Sequence, residues 1–204
     1  MSLLIDPPFA LGQTLGVSST ADGVGWVGAV KQFPDVNPLT GTVRSNRIKT
    51  CVAVRNLSAA ALLPKKVVTF STTAGLAGLS SVTGYSSTLN AEHVGVVDEY
   101  ISSAGVAVND VFWVTVDGPT EVLAALSGTV LAAGDRVCSI TAATSGAVTA
   151  GRVTPSSVTS ATTSNAGDAQ RGVIGYAMSA STNAGSTGTT GLNTPLCLLT
   201  GVQY

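Results

Sequence analysis

The chain has 204 residues and a net charge of −1, and only 10% of its side chains are charged, against about a quarter in an ordinary globular domain. With 45% hydrophobic residues and a mean hydropathy of +0.40, it has few charges to keep an exterior wetted, so a surface shared with neighbouring subunits is expected. No run reaches the roughly 18 apolar residues that a membrane helix needs, and the near-zero net charge argues against a general nucleic-acid binder.

Residues 1–46 read as an extended N-terminal arm. Pro7, Pro8, Pro34 and Pro38 punctuate them, and each proline fixes φ and removes a backbone donor. Met1–Pro8 carries no cationic stretch and its apolar run stops at Asp6, so it does not read as a secretion signal. Within the arm, 24–30 has the pattern of one strand, with Trp26 as an anchor.

From residue 47 to 204 the chain becomes a β-rich body of short apolar runs broken by Gly, Asn, Asp or Pro. The runs predict strands at 48–55, 66–71, 94–100, 111–117, 120–126, 135–140, 147–153, 171–179 and 195–203. Val, Thr and Tyr favour a pleated half-buried surface, while 23 Gly and 8 Pro weaken or break helices. The fold class expected is therefore all-β, a barrel or sandwich of eight to nine short strands. Asn109-Asp110, Asp117-Gly118 and Gly134-Asp135 read as turns. The stretches 139–164 and 180–193 are dominated by small and polar residues with little to bury, and read as loops or exposed strands.

Charge is segregated along the chain. Lys31, Arg44, Arg47, Lys49, Arg55, Lys65 and Lys66 are opposed over 31–66 only by Asp35, while eight acids face three bases from residue 91 onward. A basic early region and an acidic later one can dock between copies, or the basic part can seat on an acidic partner.

Chemistry-bearing patterns are weak. Gly23, Gly25 and Gly28 satisfy a dinucleotide-type glycine spacing, but neither the strand before it nor the helix after it is predicted. His93 is the only histidine, and beside Glu92 at the start of an apolar run it reads as a strand-edge residue rather than a general base. Asp98 and Glu99 are adjacent, so on a strand they face opposite ways and cannot act as a carboxylate pair. Cys51, Cys138 and Cys197 lie far apart within apolar runs and read as buried free thiols. Asn56-Leu57-Ser58 matches a glycosylation sequon that reads as accidental. No catalytic, cofactor-binding or metal-binding residue is assigned, and no cofactor is expected.

Two segments carry a resemblance. Cys51-Val-Ala-Val-Arg-Asn-Leu-Ser-Ala-Ala-Ala-Leu-Leu-Pro-Lys-Lys-Val-Val-Thr-Phe70, followed by His93-Val-Gly-Val-Val-Asp-Glu-Tyr100 and the run from Ala104 to Pro119, resembles the head decoration, or cement, proteins of tailed bacteriophages. Arg171-Gly-Val-Ile-Gly-Tyr-Ala177 fits the same pattern. The resemblance spans roughly 48–180 and rests on phrase order rather than on an invariant chemical motif. It implies a β-rich, often trimeric structural protein made in the host cytoplasm, placed on the outer capsid surface of the virion, with the major capsid protein and its own copies as partners. Nucleic acid, membrane and enzymatic activity are not implied. The interface residues expected are Phe9, Trp26 and Phe33 as apolar anchors and Lys31, Arg44, Arg47 and Lys49 as cations. The alternative is a receptor- or glycan-binding module of a fibre or spike, for which Trp113, Tyr85 and Tyr100 are the aromatic candidates.

Overall fold

A computed structural model describes residues 7–16, 26–71, 81–86, 94–124, 130–139, 150–156, 172–181 and 194–200. Among them are ten strands and no α-helix, so the fold is all-β: β1 (Val30–Val36), β2 (Val43–Asn56), β3 (Val67–Phe70), β4 (Ser81–Tyr85), β5 (Val94–Val97), β6 (Val111–Glu121), β7 (Arg136–Ser139), β8 (Val153–Pro155), β9 (Val173–Ala177) and β10 (Leu196–Leu199). His93, Glu92 and Arg171 lie outside the described residues.

The pairings close a five-stranded ring. β2 pairs with β6 on one edge and with the end of β4 on the other, and β4–β3, β3–β5 and β5–β6 complete the circuit. Strand alternation explains what fills it. Along Val111-Phe-Trp-Val-Thr-Val116, Phe112, Val114 and Val116 point into the barrel beside Val52, Val54, Val68, Phe70, Val82 and Val97. Val111, Trp113 and Thr115 point outward, and Val111 and Trp113 belong to a separate apolar cluster with Cys51 and Ala53 of β2.

β6 is long enough to serve two sheets. Its first half lines the barrel, and Gly118–Glu121 pair with β10, which continues through β9 and β7 to β8. A parallel bridge from Ala124 to Val153 brings β8 back beside the chain leaving β6. This second layer encloses Val122, Leu131, Val137, Ile174 and Leu199.

Several expectations are corrected. The strands expected at 111–117 and 120–126 are largely one strand, β6, because Asp117-Gly118 continues it and does not turn: Asp117 pairs with Thr50 and Gly118 with Leu199, and the bulge lies just before them at Val116. Gly118 has φ +92°, and a Cβ there would come within 2.5 Å of the Ile48 carbonyl oxygen and 2.7 Å of the Lys49 Cα, so only glycine lets β2 pass this closely. Asn109 (φ 70°) and Gly134 (φ +94°) do sit in turns. The strand expected at 24–30 instead begins at Val30, after a tight turn at 26–28. That turn leads straight into β1, so no helix follows Gly28.

The proposed division at 46/47 falls inside β2, and the described part of 1–46 is not a free arm. β1 pairs with β2 from Val30↔Val52 to Val36↔Val43. Ahead of it, Phe9 and Leu11 are buried against the outer face of the barrel. The physical reason is that Trp113, Cys51 and Ala53 leave an apolar patch on that face, and the N-terminal residues cover it.

Candidate functional site

The face of the barrel formed by β1, β2 and β6 gathers the aromatic anchors, the charged residues and the exposed apolar residues. β2 gains its β6 partner only from Thr50 onward, so the earlier part of β2, with β1, forms a two-stranded ribbon. Its turn is closed by Asn37, whose Oδ1 accepts from the N–H groups of Leu39 and Thr40, and by Gly41, whose N–H donates to the Asn37 carbonyl at 2.8 Å.

Two opposite chemistries share the ribbon. Lys31, Phe33, Lys49 and Cys51 lie on the side facing the outer patch, with Lys31 opposite Cys51 and Phe33 opposite Lys49. Val30, Pro34 and Ile48 lie on the other. After Pro34↔Ile48 the register jumps to Val36↔Val43, so residues 44–47 bulge out opposite Asp35 and bring Arg44 and Ser45 together onto it.

Asp35 is fully buried. Its Oδ1 accepts from Arg44 at 2.7 and 3.0 Å, and its Oδ2 accepts from the Ser45 hydroxyl at 2.7 Å. Glu99, in the turn two residues past β5, receives Arg44 in a two-pronged contact at 2.7 and 2.8 Å and the Lys49 ammonium at 2.6 Å. Glu121 approaches Arg44 at 3.6 Å and pairs with Lys65 at 2.7 Å.

The electrostatics follow from the pairing. Burial alone would raise the carboxyls of Asp35 and Glu99, but donation and charge from Arg44 and Lys49, with Ser45 also donating to Asp35, outweigh it and hold both below the usual carboxylate range. Asp98 behaves oppositely. Burial pushes it up to about 6, and donation from the Gly12 and Tyr100 N–H groups and the Lys49 charge only partly offset that. Asp98 and Glu99, adjacent in sequence, thus have separate environments and do not form a carboxylate pair.

The outer patch is closed by the N-terminal segment. The Phe9 ring stacks on Trp113 with centroids 4.6 Å apart, and Phe33 meets the same indole edge-on at 5.2 Å. The Trp113 Nε1–H donates to the Phe9 carbonyl at 3.1 Å. The Gly12 N–H donates to Asp98, and Leu15 bridges to Val111.

The seven interface candidates are therefore distributed unevenly. Phe9 and Lys49 are buried, and Arg44 is committed to Asp35 and Glu99. Phe33 is half-buried on Trp113, and Lys31 lies 5.4 Å from the Phe33 ring. Trp26 is half-buried on the turn before β1, and Arg47 alone among the seven is exposed. Asp35 reaches Arg44 through the β1–β2 hairpin, whereas Glu99, two residues past β5, is brought to Arg44 and Lys49 by barrel closure.

Sequence reasoning missed the exposed apolar positions. Leu39, Val43, Val30 and Ile48 are 79%, 61%, 58% and 57% exposed. The signal available was Ile48 between Arg47 and Lys49, which alternation places on the face opposite Lys49. The aromatic candidates for a glycan platform are engaged elsewhere: Trp113 is fully buried, and the Tyr85 hydroxyl accepts from the Leu63 N–H at 2.7 Å. The sequon Asn56 is also buried, its amide donating to the carbonyls of Ala60, Val106 and Ala107. Burial pushes the thiols of Cys51 and Cys197 up to about 12 and that of Cys138 to about 11. No family model, curated protein or solved structure matches the chain.

Proposed function

We propose that this chain is a non-enzymatic virion structural protein, a decoration (cement) protein on the outer surface of a tailed-phage head. It acts as a homotrimer that binds the major capsid protein and stabilises contacts between neighbouring capsid subunits. The observation that carries this reading is the β1–β2 ribbon, where Val30, Leu39, Val43 and Ile48 face solvent in a chain only 10% charged. Apolar side chains gathered on one ribbon suit a protein surface, and many modest contacts repeated around a shell act multivalently. The charged residues around the site support the same reading, because Asp35, Arg44, Lys49 and Glu99 are matched to one another and so stiffen the ribbon's base.

The test is to add the purified full-length chain to capsid shells of the virus that carries it and sediment the mixture through a cushion. Co-sedimentation, with shells that resist heating to a higher temperature than bare shells, is the expected result. A chain that stays wholly in the supernatant and leaves the shells' heat resistance unchanged would overturn the proposal.

A further inference from the structure

The segment 7–16 is held like a bound peptide. Its internal support is one turn, in which the Gln13 N–H donates to the Ala10 carbonyl and the Ala10 N–H to the Gln13 side chain. Its hydrogen-bonded attachments to the body fall at residues 9, 12 and 15, with Leu11 buried in the same apolar cluster. Phe9 stacks on Trp113 and accepts its indole N–H. Gly12 donates to Asp98 in a conformation with φ +82°, where a Cβ would lie 3.3 Å from the Tyr100 carbonyl oxygen. Leu15 exchanges main-chain hydrogen bonds with Val111 in both directions, at 2.8 and 3.3 Å. Together they specify a ring, a glycine and an apolar residue in fixed register, as strand addition with side-chain pockets does.

From this geometry we infer that the groove between Trp113, Asp98 and Val111 is an exchange site, which in the assembled state takes residues 7–16 from a second copy of the chain. Each attachment joins the segment to the body, so each can be remade unchanged when the segment comes from a neighbour, which is why such swaps cost little. Nine residues separate Gly16 from Trp26, and at 3.3–3.6 Å per residue they span up to about 30 Å, enough to reach an adjacent subunit. Between subunits held side by side, the local concentration of segment at a neighbour's groove matches that of a short tether. The inference rests on the proposal that copies of this chain assemble, and it names what joins them.

The test uses two populations of the full-length chain, one carrying Leu15→Cys and the other Val111→Cys, mixed at equal concentration and oxidised. The two positions form a hydrogen-bonded antiparallel pair, whose Cα spacing of about 5.5 Å suits a disulfide. The expected result is a reducible species of twice the chain mass. Phe9→Ala should lower its yield several-fold when placed in the Leu15→Cys copy, which donates the segment, and not when placed in the Val111→Cys copy. Monomers alone in the mixture, while the double variant closes within itself, would overturn the inference, and so would yields indifferent to where Phe9→Ala is placed. A second arm leaves the groove unaltered: benzoylphenylalanine at the exposed position of Ala10, mixed with tagged native chains and irradiated, should cross-link to the tagged copy. If Val111→Cys does not fold, a missing photo-cross-link overturns the inference on its own. Shell binding without any cross-link sinks exchange and spares decoration, and cross-linking without shell binding does the reverse.

Discussion

The barrel interior and the β1–β2 ribbon treat side chains in opposite ways. In the barrel, Val52, Val54, Val68, Phe112 and Val114 are inside, as their hydropathy dictates. In the ribbon, Lys49 and Asp35 are buried while Leu39, Val43 and Ile48 face water. Ring closure accounts for the first arrangement, since alternate residues of every barrel strand must share one small interior. The second needs long-range partners, because a lysine tolerates burial only beside a matched carboxylate. The lesson is that the barrel is a self-sufficient unit, whereas the ribbon has its charges turned inward to fix its base and its apolar residues left outward for something else.

The sharpest way to break that contrast is to remove the acid at its centre. Glu99→Ala leaves the buried Lys49 without its closest carboxylate and Arg44 with Asp35 as its one close partner, and breaking a buried pair from one side costs about 3–5 kcal/mol. Urea unfolding monitored by Trp fluorescence should show a loss of that size. A much smaller loss would mean that water reaches the cluster and that the ribbon's base is not a buried device.

Acidity separates the two adjacent carboxylates. The folded chain holds a proton on Asp98 up to about pH 6, whereas the unfolded chain releases it near the ordinary 3.8. The folded state therefore binds the extra proton between these values, and the contribution of Asp98 to stability rises as pH falls through that window, by about 3 kcal/mol in all. Asp35 and Glu99 run the other way. Their folded carboxyls are held below the usual range, so their contribution is full above the unfolded values and is lost as pH falls further. A stability maximum near pH 5 is the expected outcome of urea midpoints measured from pH 3 to 8. Asp98→Asn keeps an acceptor for only one of the Gly12 and Tyr100 N–H groups, which the native carboxylate serves with separate oxygens, and should lose the rise in stability toward pH 5.

These particulars explain how much was legible in the sequence. Val111-Phe-Trp-Val-Thr-Val116 announces a strand with two different faces, and that alternation placed β6 correctly. Its length did not follow, because Asp117-Gly118 has the composition of a turn and stays in the strand only through pairing with Thr50 and Leu199, distant in sequence, while Ile48 and Lys49 press against Gly118. β4 was missed since Val82 is the one branched apolar residue in Ser81–Tyr85. The basic run from Lys31 to Lys49 was read as a cationic surface, yet Asp35 and Glu99 draw Arg44 and Lys49 inward. The partner Glu99 lies 55 positions from Arg44 in the chain, and no local pattern encodes such a meeting. Phe9 reads in the sequence as an apolar anchor, and what the sequence does not show is the surface it stacks on, Trp113, 104 positions away.

The mildest change in stability tests the outward half of the ribbon. Leu39, Val43 and Ile48 are more than half exposed, so replacing all three by Thr removes little burial, and surface substitutions of this kind usually alter stability by about 0.5 kcal/mol or less each. Thr keeps the branching that suits Val43 and Ile48 within β2, so the ribbon should persist, as judged by an unchanged urea midpoint and unchanged far-ultraviolet dichroism. What should change is association: sedimentation velocity of the triple variant should show weaker self-association or shell binding than the native chain at the same concentration. If the unfolding free energy falls by several kcal/mol, the three side chains are part of the fold and the contrast with the barrel disappears. If neither stability nor association moves, the apolar ribbon is an ordinary surface and no longer supports the proposed decoration role.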